Sequence, residues 1–440
     1  MCRAREAIPP APWPPRPGPP VGPEAGVNAV PGVPEEPHES REPEVRLEPG
    51  AGFEVPPALR PALARAVERA GSGLEALILS GSHATGEAVW TELEGRPVSL
   101  SDVDLYAVMR SDGAAATARA RGEAIASTRE RLGWGLLAPV EVAFVTLAGL
   151  ARMPARPGTV ELARSGRVVA GEPGVLARLP RWEPAAISTE ERLLLLENRA
   201  FELLWADAAW AGGTVPRLRA RHAVLKTALE LAAARTLAHG ELPLGAAARI
   251  ARARELPPPS GSPSWLAGAW EGLEPLWQEA LAWRRGEARL ASDATEAASW
   301  RAATRAWCVA WWAEAGRGAT SDPWQNALAM AARGPLARRI RRALAHAPGP
   351  GPAPGVIERL RRAGAGTPAH RIHGSAVVLM LAAAQAAGEQ RSLPSGALHA
   401  LRTLGVTGAG HFVTAARETL LAWDRQLHAG ERTAELGSAT

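Results

Sequence analysis

The first fifty positions carry repeated prolines (Pro9-Pro10-Ala11-Pro12, Pro14-Pro15, Pro19-Pro20) and few aliphatic clusters. Such a stretch cannot bury enough apolar surface to offset its ordering entropy, so residues 1–52 are expected to form a disordered Pro-rich tail. Beyond it the pattern changes. Leu59, Leu63 and Val67 recur at i, i+4 and i+8, the stripe of an amphipathic helix over Pro57 to Ala70, and Gly71-Ser72-Gly73 stops it. Ala76-Leu77-Ile78-Leu79 follows as a short buried strand. Further apolar runs, Val103 to Met109 and Val140 to Val145, predict two more strands, with a helix expected between them over Ala114 to Leu132. Helix and strand alternate through residues 53–182, which predicts a small α/β domain. The fold expected of the whole chain is α+β, a small mixed-sheet domain followed by an all-α part.

After Pro184 the strand signals stop. Ser188-Thr189-Glu190-Glu191 has the composition of a helix N-cap, and Leu193 to Trp210 continues that helix. Helices are expected at 217–239, 244–254, 264–286 and 296–315, which makes residues 183–347 an all-α helical domain. Pro348 to Gly355 separates a last helical segment, 356–440. Most of the 16 Trp lie in the helical half, where their spacing suits interhelix packing better than a stacking platform for ligands.

Composition narrows the function classes. The length, 440 residues, suits two or three domains, and 46% hydrophobic residues suit a soluble globular chain. No window of eighteen uninterrupted apolar residues is present, so no membrane partner is expected. Cys2 and Cys308 are the only cysteines, too few for a disulfide framework or a cysteine metal cluster, and a cytoplasmic location is expected. The net charge of +5 comes almost wholly from arginine, since Lys226 is the single lysine. That bias looks like base composition of the gene, so the positive charge is weak support for a nucleic-acid partner. Neighbouring opposite charges along the helices, such as Glu191/Arg192 and Glu197/Arg199, read as solvated faces.

Three short stretches carry candidate chemistry. The first strand runs into Ser80-Gly81-Ser82-His83-Ala84-Thr85-Gly86, and a strand ending in Gly-Ser at a helix start offers backbone N–H groups and a hydroxyl to an anion. In Ser101-Asp102-Val103-Asp104-Leu105 two carboxylates sit at i and i+2, on one side of a strand. Like charges so placed need neutralising, and an oxygen-only donor set favours Mg²⁺ shared with substrate phosphates. The alternative is a pair of solvated aspartates at a loop edge. Glu141 is the single charge in the apolar run from Leu136 to Leu150 and either faces water at a sheet edge or is held by a partner. If its strand lies beside that of Asp102 and Asp104, three carboxylates converge on two metal ions, a phosphoryl-transfer arrangement.

The order strand–Gly81-Ser82–helix, then Asp102-x-Asp104, then Glu141 on a later strand, resembles the DNA-polymerase-β-like nucleotidyltransferases. Gly81 to Glu87 together with Ser101 to Leu105 is similar to their bacterial minimal and aminoglycoside-type branch. Glu161 to Gly171 resembles the glycine-bounded segment that closes this domain, and the likeness spans roughly residues 58–180. The separation between Gly81-Ser82 and Asp102 is longer than in the smallest members, and Thr91, Glu92, Gly95 and Pro97 suggest a hairpin or loop insertion there. The resemblance implies that Asp102 and Asp104 hold two Mg²⁺ ions on the triphosphate of a nucleoside triphosphate, with ATP favoured. It also implies that Gly81 and Ser82 bind the β/γ-phosphates and that Glu141 completes the catalytic-metal site. The implied reaction is transfer of a nucleoside monophosphate to a hydroxyl of a small molecule or protein.

Lys226 reads two ways. A compact ammonium can approach a triphosphate where a planar guanidinium does not fit, and related enzymes place a helical-domain lysine there. Equally, it could be one lysine surviving on a solvated helix. His83 reads as a helix-start histidine with no catalytic part. His370-x-x-His373 lacks companion metal ligands, while Arg341-Arg342 and Arg359 to Arg362 read as solvated. Two rival functions stay open: an antitoxin-type enzyme that modifies a partner protein, and a non-catalytic nucleotide-binding regulator on the same fold. The long helical part argues against the first, and intact Asp102, Asp104 and Glu141 argue against the second, since unused buried carboxylates would cost stability.

Overall fold

The structure, a computed structural model, describes residues 54–121, 125–287, 289–316, 322–333, 368–386, 392–406, 408 and 410–427. The Pro-rich stretch 1–52, the Gly/Pro segment 348–355 and the arginine clusters at 341–342 and 359–362 lie outside them.

A first helix, α1 (Arg60–Ala70), follows a 3₁₀ turn at Pro57–Leu59. It leads into β1 (Leu74–Ser80), a short helix α2 (Gly81–Thr85), and the hairpin strands β2 (Trp90–Leu93) and β3 (Arg96–Ser99). Next come β4 (Val103–Met109), α3 (Asp112–Ala120), α4 (Thr128–Trp134), β5 (Val140–Thr146), α5 (Leu147–Leu150), α6 (Pro157–Ser165) and β6 (Arg167–Gly171). The main sheet runs β5-β4-β1-β6. It is mixed: β4 and β5 are parallel, whereas β1 is antiparallel to both β4 and β6.

Strand alternation gives this sheet two covered faces. Leu77, Leu79, Leu105, Val142 and Phe144 pack with Leu59, Leu63 and Ala115 on the α1/α3 side. Ala76, Ile78 and Val108 pack with Leu150, Leu162 and Val175 on the other. A strand buried on both faces reads as an unbroken apolar run, which is why β1 and β4 stand out in the sequence.

Two expected helices break. The span 114–132 divides into α3 and α4, because Ser127 caps a new helix: its hydroxyl accepts from Glu130 N while the Glu130 carboxylate accepts from Ser127 N. The span 264–286 is a 3₁₀ turn at Ser264–Leu266 and then α10 (Leu273–Arg284); Gly268, at φ +71°, interrupts it. The region 89–100 is a hairpin as expected, turning at Glu94 and Gly95, both at positive φ.

The helical part holds α7 (Thr189–Ala209), α8 (Thr214–Leu237), α9 (Ala246–Glu255), α10, α11 (Asp293–Ala315), α12 (Pro323–Ala331), α13 (Pro368–Gln385), α14 (Ser395–Leu404) and α15 (Phe412–Leu427). Its core is rich in tryptophan. The indole N–H groups of Trp277, Trp300 and Trp307 donate to the carbonyls of Ala228, Leu203 and Leu196, at 2.8, 2.8 and 2.7 Å. Val89, Val98 and Leu100 of the hairpin region belong to this same core, so the insertion between the two candidate motifs fastens the sheet to the helices. The described residues all belong to one compact unit. No helix among the described residues is long and apolar enough to cross a membrane.

The solvated-face reading of the helix charges fails on α7. Glu197 is 2% exposed; Arg333 donates to its two oxygens at 2.8 and 2.9 Å, and His373 Nδ1 stands 3.2 Å away. Arg192 pairs with Glu314 at 3.0 Å, and Arg199 with Glu202 at 2.6 Å. This helix is packed by α8, α11, α13 and α15, so its charges find partners inside the protein instead of water.

Candidate functional site

The candidate residues meet where one face of the sheet runs out of helical cover. On β4, Asp104, Tyr106 and Val108 share a face: Val108 is in the core, Tyr106 packs against it, and Asp104 stands at the open end. Backbone register sets Ser80, Asp104 and Glu141 in one row, since Ser80 pairs with Asp104 across β1/β4 and Asp104 with Glu141 across β4/β5. Side chains in one cross-strand row stand on the same face. Glu141 is exposed on the edge strand β5.

Gly81 makes the close approach possible. It turns from β1 into α2 at φ +66°, and a Cβ there would lie 3.1 Å from Asp104 Oδ2. Ser80 Oγ donates to the Asp104 carbonyl at 3.3 Å. His83, 2% exposed, lies behind the turn: its Nε2 is 3.3 Å from both the Ser101 carbonyl and Ser99 Oγ, and its ring stands edge-on to Trp90. Burial holds this imidazole below its usual range, hence neutral, and it ties α2 to the loop that presents Asp102.

Asp102, just ahead of β4, reaches the helical layer. Lys226 Nζ donates to Asp102 Oδ2 at 2.6 Å and lies 3.9 Å from Glu202 Oε1, which in turn is held by Arg199. The lone lysine is therefore not on a solvated face. Burial alone would lower its pKa, but Asp102 and Glu202 outweigh that and hold it fully charged. Asp104 has the opposite problem. Burial among protein atoms, then the neighbouring Asp102, push its carboxyl up to about 7, with Glu141 adding to the rise and Lys226 and Arg199 opposing it.

Two hollows share Gly81, Asp104 and Glu161. One, of about 250 Å³, lies between sheet and helices; Ser82, Asp102, Arg199, His222 and Lys226 line it, with Trp283 and Arg284 of α10. The other, of about 370 Å³, runs along the sheet edge past Tyr106 and Glu141. Asp102 thus opens on one hollow, Glu141 on the other and Asp104 on both. Among the described residues no three His, Cys, Asp or Glu side chains are grouped to hold a metal ion. Sequence reading missed Glu87, Glu161, His222, Arg249 and Arg284. Glu87 staples the two parts of the protein together: its Oε1 accepts from Ala246 N at 2.8 Å and its carbonyl from Arg284 Nη1 at 2.6 Å. Arg249 pairs with Glu161 beside it. Glu87 sits in the stretch Gly81 to Glu87, so a signal for it existed; the helical residues carry none, being over a hundred positions away.

No protein-family model, no curated protein and no solved structure matches this chain.

Proposed function

We propose that this protein is a nucleotidyltransferase, acting in the cytoplasm, that moves a nucleoside monophosphate, with ATP the favoured donor, onto a hydroxyl of a small molecule or protein. One observation carries the reading: Asp104 and Glu141 in cross-strand register beside the Gly81 turn, with the Asp102–Lys226 pair facing them from the helical side. The donor set is oxygen-only and its acids crowd one another, a combination that suits Mg²⁺. Asp102 and Asp104 would hold the metal, with Glu141 completing the set from the adjoining hollow. Two bound Mg²⁺ ions would neutralise the triphosphate and favour attack at its α-phosphorus.

The rest belongs to the side chains. Gly81 and Ser82 offer backbone N–H groups and a hydroxyl to the β- and γ-phosphates. Lys226, already charged and partly desolvated, exchanges Asp102 for phosphate oxygen as the nucleotide enters. In the reaction the acceptor hydroxyl gives its proton to Glu141, its oxygen forms a bond to the α-phosphorus, the bond to the bridging oxygen breaks, and pyrophosphate leaves. The enzyme acts mainly by positioning and charge neutralisation.

Incubating the protein with each α-labelled nucleoside triphosphate, Mg²⁺ and cell extract tests this. Label should pass to a small molecule or a protein band, and Asp102→Asn should abolish the transfer. Transfer that persists in Asp102→Asn would sink the assignment of the acids. Label confined to one protein band would favour the antitoxin-type reading, and nucleotide binding without transfer the regulator.

A further inference from the structure

The helical wall of the cleft carries polar atoms that the transfer step leaves unused. His222 stands one helical turn before Lys226 on α8 and lines the same hollow; its Nδ1 is buried without a hydrogen-bond partner. Trp283, near the end of α10 and only 4% exposed, lines that hollow too, and its Nε1 is likewise buried and unpartnered. Trp277, on the same helix, shows the ordinary solution, an indole N–H given to a backbone carbonyl. Arg199 and Arg284, which line the same hollow, also carry a buried unpartnered Nε, but each guanidinium is held through another nitrogen, by Glu202 and by Glu87. Buried polar atoms are usually satisfied, so His222 Nδ1 and Trp283 Nε1, which have no such hold, mark a place where a ligand supplies the partners.

The surroundings describe that ligand. Leu225, Leu229 and Leu244 line the same hollow, and Leu244 is 52% exposed. Glu87 brings these pieces together, since it binds Arg284, next to Trp283, and Ala246 N, two residues from Leu244. The cleft therefore offers apolar area to the face of a ring and hydrogen-bonding atoms to its edge. Burial, then the neighbouring Lys226, press the His222 imidazole down to about 3. It stays neutral, with one nitrogen donating and the other accepting.

We infer that His222 and Trp283 form a subsite for the heterocyclic base of the bound nucleotide, the imidazole and indole nitrogens pairing with its edge and the leucines covering its face. Every nucleobase presents donors or acceptors along its edges, so the two orphans find partners there. The inference rests on the nucleotide reading above and adds to it where the base lies.

Calorimetric titration of the full chain with ATP and, separately, with inorganic tripolyphosphate, both in Mg²⁺, tests the subsite. His222→Leu should weaken ATP about ten-fold, the worth of a hydrogen bond of this kind, and leave tripolyphosphate unchanged. His222→Asn, which keeps a polar atom near the position of Nδ1, should recover most of the loss. Trp283→Phe, which removes only the indole nitrogen from a still apolar wall, should weaken ATP alone as well. ATP affinity unchanged in His222→Leu, or equal losses for ATP and tripolyphosphate, overturns the subsite while nucleotide binding stands. A wild-type protein that binds no nucleoside triphosphate overturns both.

Discussion

The Lys226–Asp102 contact ties the helical layer to the acids, and its energy can be worked out. At 2.6 Å and an effective dielectric of about 20, two unit charges attract by about 6 kcal/mol. The side chains keep 25% and 30% of their exposure, so most of each group's hydration is lost on folding and most of that attraction is offset. A net coupling of about 1–2 kcal/mol remains, above the range of fully exposed pairs. Lys226→Met should cost more than the coupling, because it leaves Asp102, Asp104 and Glu202 crowded without their shared cation. The assay is a double-mutant cycle: Tm of the wild type, Lys226→Met, Asp102→Asn and the double variant, without nucleotide or Mg²⁺. Lys226→Met should lower Tm by a few degrees. Asp102→Asn should cost less in the Lys226→Met background than alone, since its partner is already gone. A coupling below about 0.3 kcal/mol, within ordinary additivity, would refute the reasoning and return Lys226 to an incidental surface lysine.

Gly81→Ala forces a side chain into φ +66° and sets a Cβ 3.1 Å from Asp104 Oδ2, which should cost about 1–2 kcal/mol of stability. Displacing that carboxylate should also slow nucleotidyl transfer by roughly ten-fold or more; wild-type rates in this variant would separate the turn from the site. Glu197 gives a pH dependence. Burial pushes its carboxyl up, but His373 and Arg333 outweigh this and hold it below the ordinary 4.5. A depressed folded value means its stabilisation is complete above pH 4.5 and is lost as the pH falls through that lower value. Glu197→Gln should lower Tm at neutral pH by leaving Arg333 buried without its counterion, and should flatten the fall in Tm that the wild type shows below about pH 4. Parallel acid profiles for the two proteins would contradict the assignment.

The parts of this fold that were legible in the sequence are those where local pattern and tertiary environment agree. β1 is apolar on both faces from Ala76 to Leu79, β4 is so beyond its Asp104 end, and Ser188 caps α7 as its sequence suggests. Helix boundaries were lost where a start signal lay inside an apparently continuous run. Ser127-Thr128-Arg129-Glu130 is a capping box in plain view, and it outweighs the Ala-rich continuity of 114–132. β6 has no strand pattern strong enough to read by itself, and it becomes a strand by pairing with β1.

The site divides along the same line. Gly81, Asp102, Asp104 and Glu141 lie in local motifs at β1, β4 and β5, and the pairing of β4 with β1 and with β5 joins them. The opposite wall obeys no local pattern. Lys226 and Asp102 are 124 positions apart, and Arg199 looked solvated because one helix alone cannot reveal that others enclose it. What separates the two walls chemically is their charge. The sheet side offers acids that crowd one another; the helical side offers Lys226, Arg199 and Arg284 with partners already in place. An anionic ligand bound with divalent metal would relieve the first wall and release Lys226 from Asp102 on the second. Its binding should therefore strengthen the hold between the two parts of the protein, and the sheet–helix contact is the place to look for that gain.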